Sequence, residues 1–73
     1  MASNAECYEK ICRNIVSSKN ELHIRTCSVM IGMFAMKYID EKEPILKREI
    51  EAQEVSLKEL LDEQAVRLHL ITL

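Results

Sequence analysis

The stretch Met36-Lys37-Tyr38-Ile39-Asp40-Glu41-Lys42-Glu43-Pro44-Ile45-Leu46 carries the single proline of the chain behind a run of charged residues. Proline has no backbone N–H and pushes the residue before it out of the helical region. A helix entering from Met36 or Tyr38 therefore stops before Glu43, and a new one starts at Pro44. Gly32 is the only glycine, so little else on either side interrupts a helix. The expected fold is all-α, an antiparallel helical hairpin in one domain spanning 1–73. Its first arm covers about 5–39, its turn about 40–43 and its second arm about 44–70.

On the first arm, Tyr8, Ile11, Cys12, Ile15, Leu22, Val29, Met30, Met33, Phe34 and Met36 fall mostly three, four or seven apart, the period of a helix with one apolar stripe. Glu6–Lys10, Glu9–Arg13 and Glu21–Arg25 place acid before base at four-residue spacing, which supports a helix. One soft spot interrupts this pattern, at Ser17-Ser18-Lys19-Asn20-Glu21. Ser18 and Glu21 read either as a capping box that starts a fresh helix, giving three helices in all, or as polar-face residues of a continuous one.

The second arm sets Leu46, Ile50, Leu57, Leu60, Leu61, Ala65, Leu68 and Ile71 on one side, supported by Glu43–Lys47, Glu54–Lys58 and Glu63–Arg67. Its middle is thin, because Gln53 and Glu54 occupy the turn between Ile50 and Leu57. Polar residues in a seam weaken packing and can fix register or partner choice.

At 73 residues the chain falls in the size range where a single core is marginal and a partner, staple or metal is common. Residues 1–38 carry five basic and three acidic groups; residues 39–73 carry five basic and nine acidic ones. The opposite signs favour folding one arm on the other. An overall charge of −2 with no basic concentration argues against nucleic acid as the main partner. Three cysteines without C-x-x-C spacing indicate neither a disulfide framework nor a zinc site, and reduced thiols imply a cytoplasmic protein. No apolar run is long enough for a membrane span, and Met-Ala-Ser-Asn-Ala lacks the layout of a secretory signal.

Length arithmetic adds a functional expectation. A second arm of 27 residues spans about 40 Å and, folded back, covers the first arm only to about Arg13. Tyr8 and Ile11 would then overhang without cover, and an apolar surface left on a small hairpin is a binding surface. Tyr8, Ile11, Ile15, Met30, Met33 and Phe34 are accordingly the candidate protein-binding residues, covered by another protein or by a second copy in a homodimer. The methionine-rich segment reads equally as an adaptable binding surface and as ordinary seam filler. His23 and Cys27 share a helical face but supply two ligands where a metal needs three or four, and the blander reading is a solvent-edge histidine and a core cysteine. A cysteine nucleophile would need a base, an orienting group and a pocket, which the sequence does not assemble. No catalytic residue, metal site or cofactor site is indicated, and the chain reads as a non-enzyme.

The size, the aliphatic hairpin layout and the Asp40-Glu41-Lys42-Glu43-Pro44 turn followed by Leu46, Leu57, Leu60 and Leu61 resemble the YscE/EscE-like co-chaperones of bacterial type III secretion systems. The resemblance covers the whole chain and rests on layout. It implies a larger helical-repeat chaperone as partner, with which the hairpin would hold a needle subunit unpolymerised in the cytoplasm. The alternative is a self-assembling coiled-coil scaffold or adaptor subunit.

Overall fold

The computed structural model describes residues 3–69. It is all-α, with α1 over Asn4–Val16, α2 over Glu21–Lys37 and α3 over Pro44–Arg67. Leu70 and Ile71, expected to close the second arm, and the first two residues of the Met-Ala-Ser-Asn-Ala start lie outside the described residues.

The turn at Pro44 forms as the proline chemistry dictates. Glu43 is extended (φ −74°, ψ 114°) and Pro44 occupies the first turn of α3, where a missing N–H costs nothing. α2 stops at Lys37, two residues earlier than expected, and residues 38–43 carry the chain around. α3 ends at Arg67, and His69 beyond it takes a left-handed backbone (φ 59°). That conformation commonly terminates a helix, although glycine usually supplies it.

The first arm is two helices. Residues 17–20 break it, and the cap that restarts the chain is Asn20: its side-chain oxygen accepts from the His23 N–H at 3.0 Å. Ser18, the capping residue of the expected Ser-x-x-Glu box, is instead buried. Its Oγ donates to the Asn14 carbonyl at 2.9 Å and lies 3.4 Å from Cys27 Sγ. Ser3 caps α1 by accepting from the Glu6 N–H at 3.2 Å.

Polar pairs set the register of the three helices. Asn4 Nδ2 donates to Gln53 Oε1 at 3.1 Å, Tyr8 Oη pairs with Ser56 Oγ at 2.9 Å, and Gln64 Nε2 donates to the Ser18 carbonyl at 2.8 Å. Residue numbers rise together along these pairs, so α1 runs parallel to α3. Between α1 and α2 the order reverses: Lys37 Nζ lies 3.7 Å from Cys7 Sγ, and Asn14 Nδ2 lies 3.9 Å from Met30 Sδ. The topology is up-down-up, with the expected antiparallel hairpin formed by α2 and α3 and with α1 laid against both. Gln53, the polar interruption in the second arm, is thereby a register contact for α1.

The core is Ile11 and Ile15 from α1, Cys27, Ile31 and Phe34 from α2, and Ile50 and Leu57 from α3; Ala65 is buried as well. Ile15 and Leu57 are fully enclosed. Phe34 and Tyr38 meet edge to face with centroids 5.4 Å apart. The second arm's expected stripe is oriented as the periodicity implied, with Ile50, Leu57 and Ala65 buried and Leu46, Leu60, Leu61 and Leu68 half-buried.

The phase of α2 differs from the expectation. Leu22, Val29, Met33 and Met36, assigned to the first arm's seam, are 61–70% exposed, whereas Ile31, not among the residues of that stripe, is 2% exposed. The break at 17–20 resets the helical phase, so a single stripe cannot run through both halves. The expected i,i+4 ion pairs are solvent-exposed except at the half-buried Glu54, and only Glu21–Arg25 (2.8 Å) and Glu54–Lys58 (3.1 Å) close among the described residues. Exposed pairs gain too little to hold two long side chains in one geometry. No helix among the described residues is long and apolar enough to cross a membrane.

Candidate functional site

The overhang expected at the start of the first arm does not exist. α1 folds back at 17–20 and packs beside α3, which covers what a continuous arm would have left bare. Ile11 (5% exposed) and Ile15 (0%) are core residues of this chain. Tyr8 is half-buried, with its hydroxyl engaged by Ser56. Tyr8 and Ile11, expected to overhang, are therefore covered within the chain, and Ile15, the third α1 candidate, is enclosed beside them.

The remaining candidates converge differently. Antiparallel packing of α1 and α2 leaves a groove of about 430 Å³ along their outer junction. Cys7, Lys10 and Ile11 form its α1 bank, and Met30, Met33, Phe34 and Lys37 its α2 bank. Four of the six expected binding residues meet here: Ile11 and Phe34 form the floor, Met30 is half-buried in the wall, and Met33 stands on the rim at 66% exposure. Tyr8 and Ile15 are not part of it. A second hollow of about 250 Å³ adjoins along the same junction, with Met30 common to both and Asn14, Ser17, His23 and Thr26 on its banks.

The helices that build the groove explain its character. Small and flexible side chains at the α1–α2 contact, Cys7 and Met30 among them, leave a shallow furrow where larger branched residues would have filled it. Its floor is rigid because Ile11 and Phe34 also belong to the core. Methionine on the wall and rim is unbranched and polarizable, so the surface adapts to shapes pressed into it.

Lys37 reaches from α2 toward α1, 3.7 Å from the Cys7 sulfur, and its ammonium lies 5.5 Å from the Tyr38 ring centroid. Sequence reasoning missed Cys7, Lys10 and Lys37. A firm reading of the 17–20 break would have found them, because an antiparallel fold about that turn sets position 7 opposite 37 and position 14 opposite 30.

His23 and Cys27 do not form a ligand pair: Cys27 is buried beside Ser18, while His23 Nδ1 accepts from the Lys19 N–H at 3.2 Å. Among the described residues no three His, Cys, Asp or Glu side chains gather closely enough to hold a metal ion. All three cysteines are free thiols, with Cys27 buried and Cys7 and Cys12 half-buried. No protein-family model matches this chain, and no curated protein or solved structure is detectably similar to it.

Proposed function

We propose that this chain is a protein-binding helical module that works by docking a segment of another protein in the α1–α2 groove, and that it has no catalytic role. The observation that carries the reading is the groove itself: a rigid apolar floor with methionine walls, beside an α2 face whose Leu22, Val29, Met33 and Met36 are all more than half exposed. Contiguous apolar surface of this kind on a small domain marks an interaction site.

Within that class, the specific role we put forward is the co-chaperone one: pairing with a larger helical-repeat chaperone in the cytoplasm to hold a type III secretion needle subunit unpolymerised. Its support is the whole-chain resemblance in size, helical layout and charged proline turn. Three free thiols fit a reducing compartment.

The test is site-specific photocrosslinking in cells that make the chain. A photoreactive residue at Met33 should trap a heterologous protein of helical-repeat architecture, and one at Glu59, exposed on α3, should not. Equal trapping from both positions would overturn the groove assignment. Trapping of only a second copy of this chain would favour the self-assembling scaffold, the reading to which the exposed outer face of α2 lends its own support.

A further inference from the structure

The α1–α2 groove differs from the other hollows among the described residues in the sign of the charges that line it. The chain has 12 acidic residues against 10 basic ones, and three further hollows among the described residues mix the two signs: Glu51 and Glu54 with Lys47 between α2 and α3, Glu9 with Arg13 on α1, and Asp62 and Glu63 with Arg67 near the end of α3. Neither of the two hollows that make up the groove has an Asp or Glu in its lining. Its charged groups are Lys10 and Lys37, one on each bank. Lys10 and Lys37, like most basic residues of the chain, have no carboxylate within 4.0 Å among the described residues, so both ammonium groups are available to a ligand. The groove is therefore an apolar strip in which lysines are the charged lining groups and no carboxylate offsets them.

Its shape selects the kind of segment it can take. Both banks are α-helical, so their backbone N–H and C=O groups are already paired and offer no edge to an added strand. Recognition must come from side chains seated in the furrow, the helix-in-groove mode. The two hollows share Met30 and extend along α2 from His23 to Lys37, about 21 Å at 1.5 Å per residue, which accommodates about four turns of a docked helix.

We infer that the occupant is an amphipathic helix of a partner protein whose apolar stripe is flanked by Asp or Glu, its side chains seated on Ile11, Met30, Met33 and Phe34 and its carboxylates on Lys10 and Lys37. This rests on the groove being the binding site proposed above and adds the partner's chemistry. Charge complementarity sets register and rejects wrong partners as much as it adds affinity, so a basic-flanked helix with the same apolar stripe is the partner excluded.

Two synthetic amphipathic peptides of about 18 residues, five helical turns, test this on the full chain. They share one leucine stripe and carry either glutamate or lysine beside it; NMR titration of the isotopically labelled protein gives both affinity and location. The acidic peptide should bind about tenfold or more tightly than the basic one at low salt. That preference should shrink as salt screens the pairs, and shifts should concentrate at Cys7, Lys10, Met30, Met33 and Lys37. In the doubly reversed Lys10→Glu, Lys37→Glu chain, shown by circular dichroism to keep its helicity, the preference should invert. Equal affinities, a preference for the basic peptide, or a preference indifferent to the double reversal would overturn the inference while leaving the groove as a binding site. Shifts on α3, or binding of neither peptide, would remove the groove reading as well. Concentration-dependent broadening at the same residues without peptide would show a second copy as the occupant and overturn the acidic-helix assignment.

Discussion

Gln64 on α3 donates its side-chain amide to the backbone carbonyl of Ser18 at 2.8 Å, joining residues 46 apart in sequence. Ser18 lies in the turn that splits the first arm, so this one bond holds the α1–α2 junction against the third helix. The carbonyl it satisfies lies past the end of α1 in a half-enclosed place. Gln64→Ala should lower stability by about 1–2 kcal/mol, the cost of a lost side-chain bond with its partner left unpaired, as measured by urea unfolding. Amide exchange in α1 should quicken more than in α3; uniform quickening would show that the bond does not act at the turn.

Leu57 and Ile15 are the two fully enclosed side chains among the described residues, and both belong to the core that the three helices share. Leu57→Ala and Ile15→Ala should each cost about 2–5 kcal/mol, transfer and cavity terms together, against a change within about 0.5 kcal/mol for the exposed Glu59→Ala. Comparable losses at all three positions in chemical denaturation would contradict the burial pattern.

Replacing Tyr8 and Ile11 together with serine should strip helicity from the isolated protein. Ile11 is core and the Tyr8 ring packs on it, so the loss belongs to folding, not to a partner's surface. A circular-dichroism spectrum and thermal midpoint like those of the unaltered chain would restore the overhanging arrangement.

Gly32 sits inside α2 with a negative φ, and a Cβ built on it meets nothing within 4 Å among the described residues. Nothing in the fold explains the glycine. Gly32→Ala should raise stability by about 1 kcal/mol through helix propensity and the stiffer unfolded chain, seen as a higher urea midpoint at unchanged slope. Destabilisation would mean that another surface approaches that point.

Much of this fold was legible because its strongest signals are local. Pro44 fixes the α2–α3 turn through backbone chemistry alone, and the spacing of Ile50, Leu57 and Ala65 names the buried face of α3. The 17–20 turn was harder, since two serines suit a helix surface nearly as well as a break and the decisive capping residue, Asn20, acts only once the chain has turned. Everything that depended on that turn then shifted together. Leu22 and Val29 moved to solvent, Ile31 moved to the core, and Lys10 and Lys37 came to opposite banks of one groove. Sequence periodicity reports a face relative to its own helix. It holds no information on phase across a break, and the groove, which two helices build jointly, inherits that gap.

The turn at 17–20 also makes α1 a detachable element. It is the shortest helix among the described residues, and the side-chain bonds that tie it to α3, Asn4–Gln53 and Tyr8–Ser56, span 49 and 48 positions. Should those few backbone torsions straighten, α1 and α2 would become one unbroken rod. The contacts of Ile11 and Ile15 could then be made in full on the hairpin of a second molecule, exchanging helices between two chains without altering a single packing partner. The torsions of Ser17, Ser18, Lys19 and Asn20 thus decide which hairpin α1 lies against, and in this structure they return it to its own.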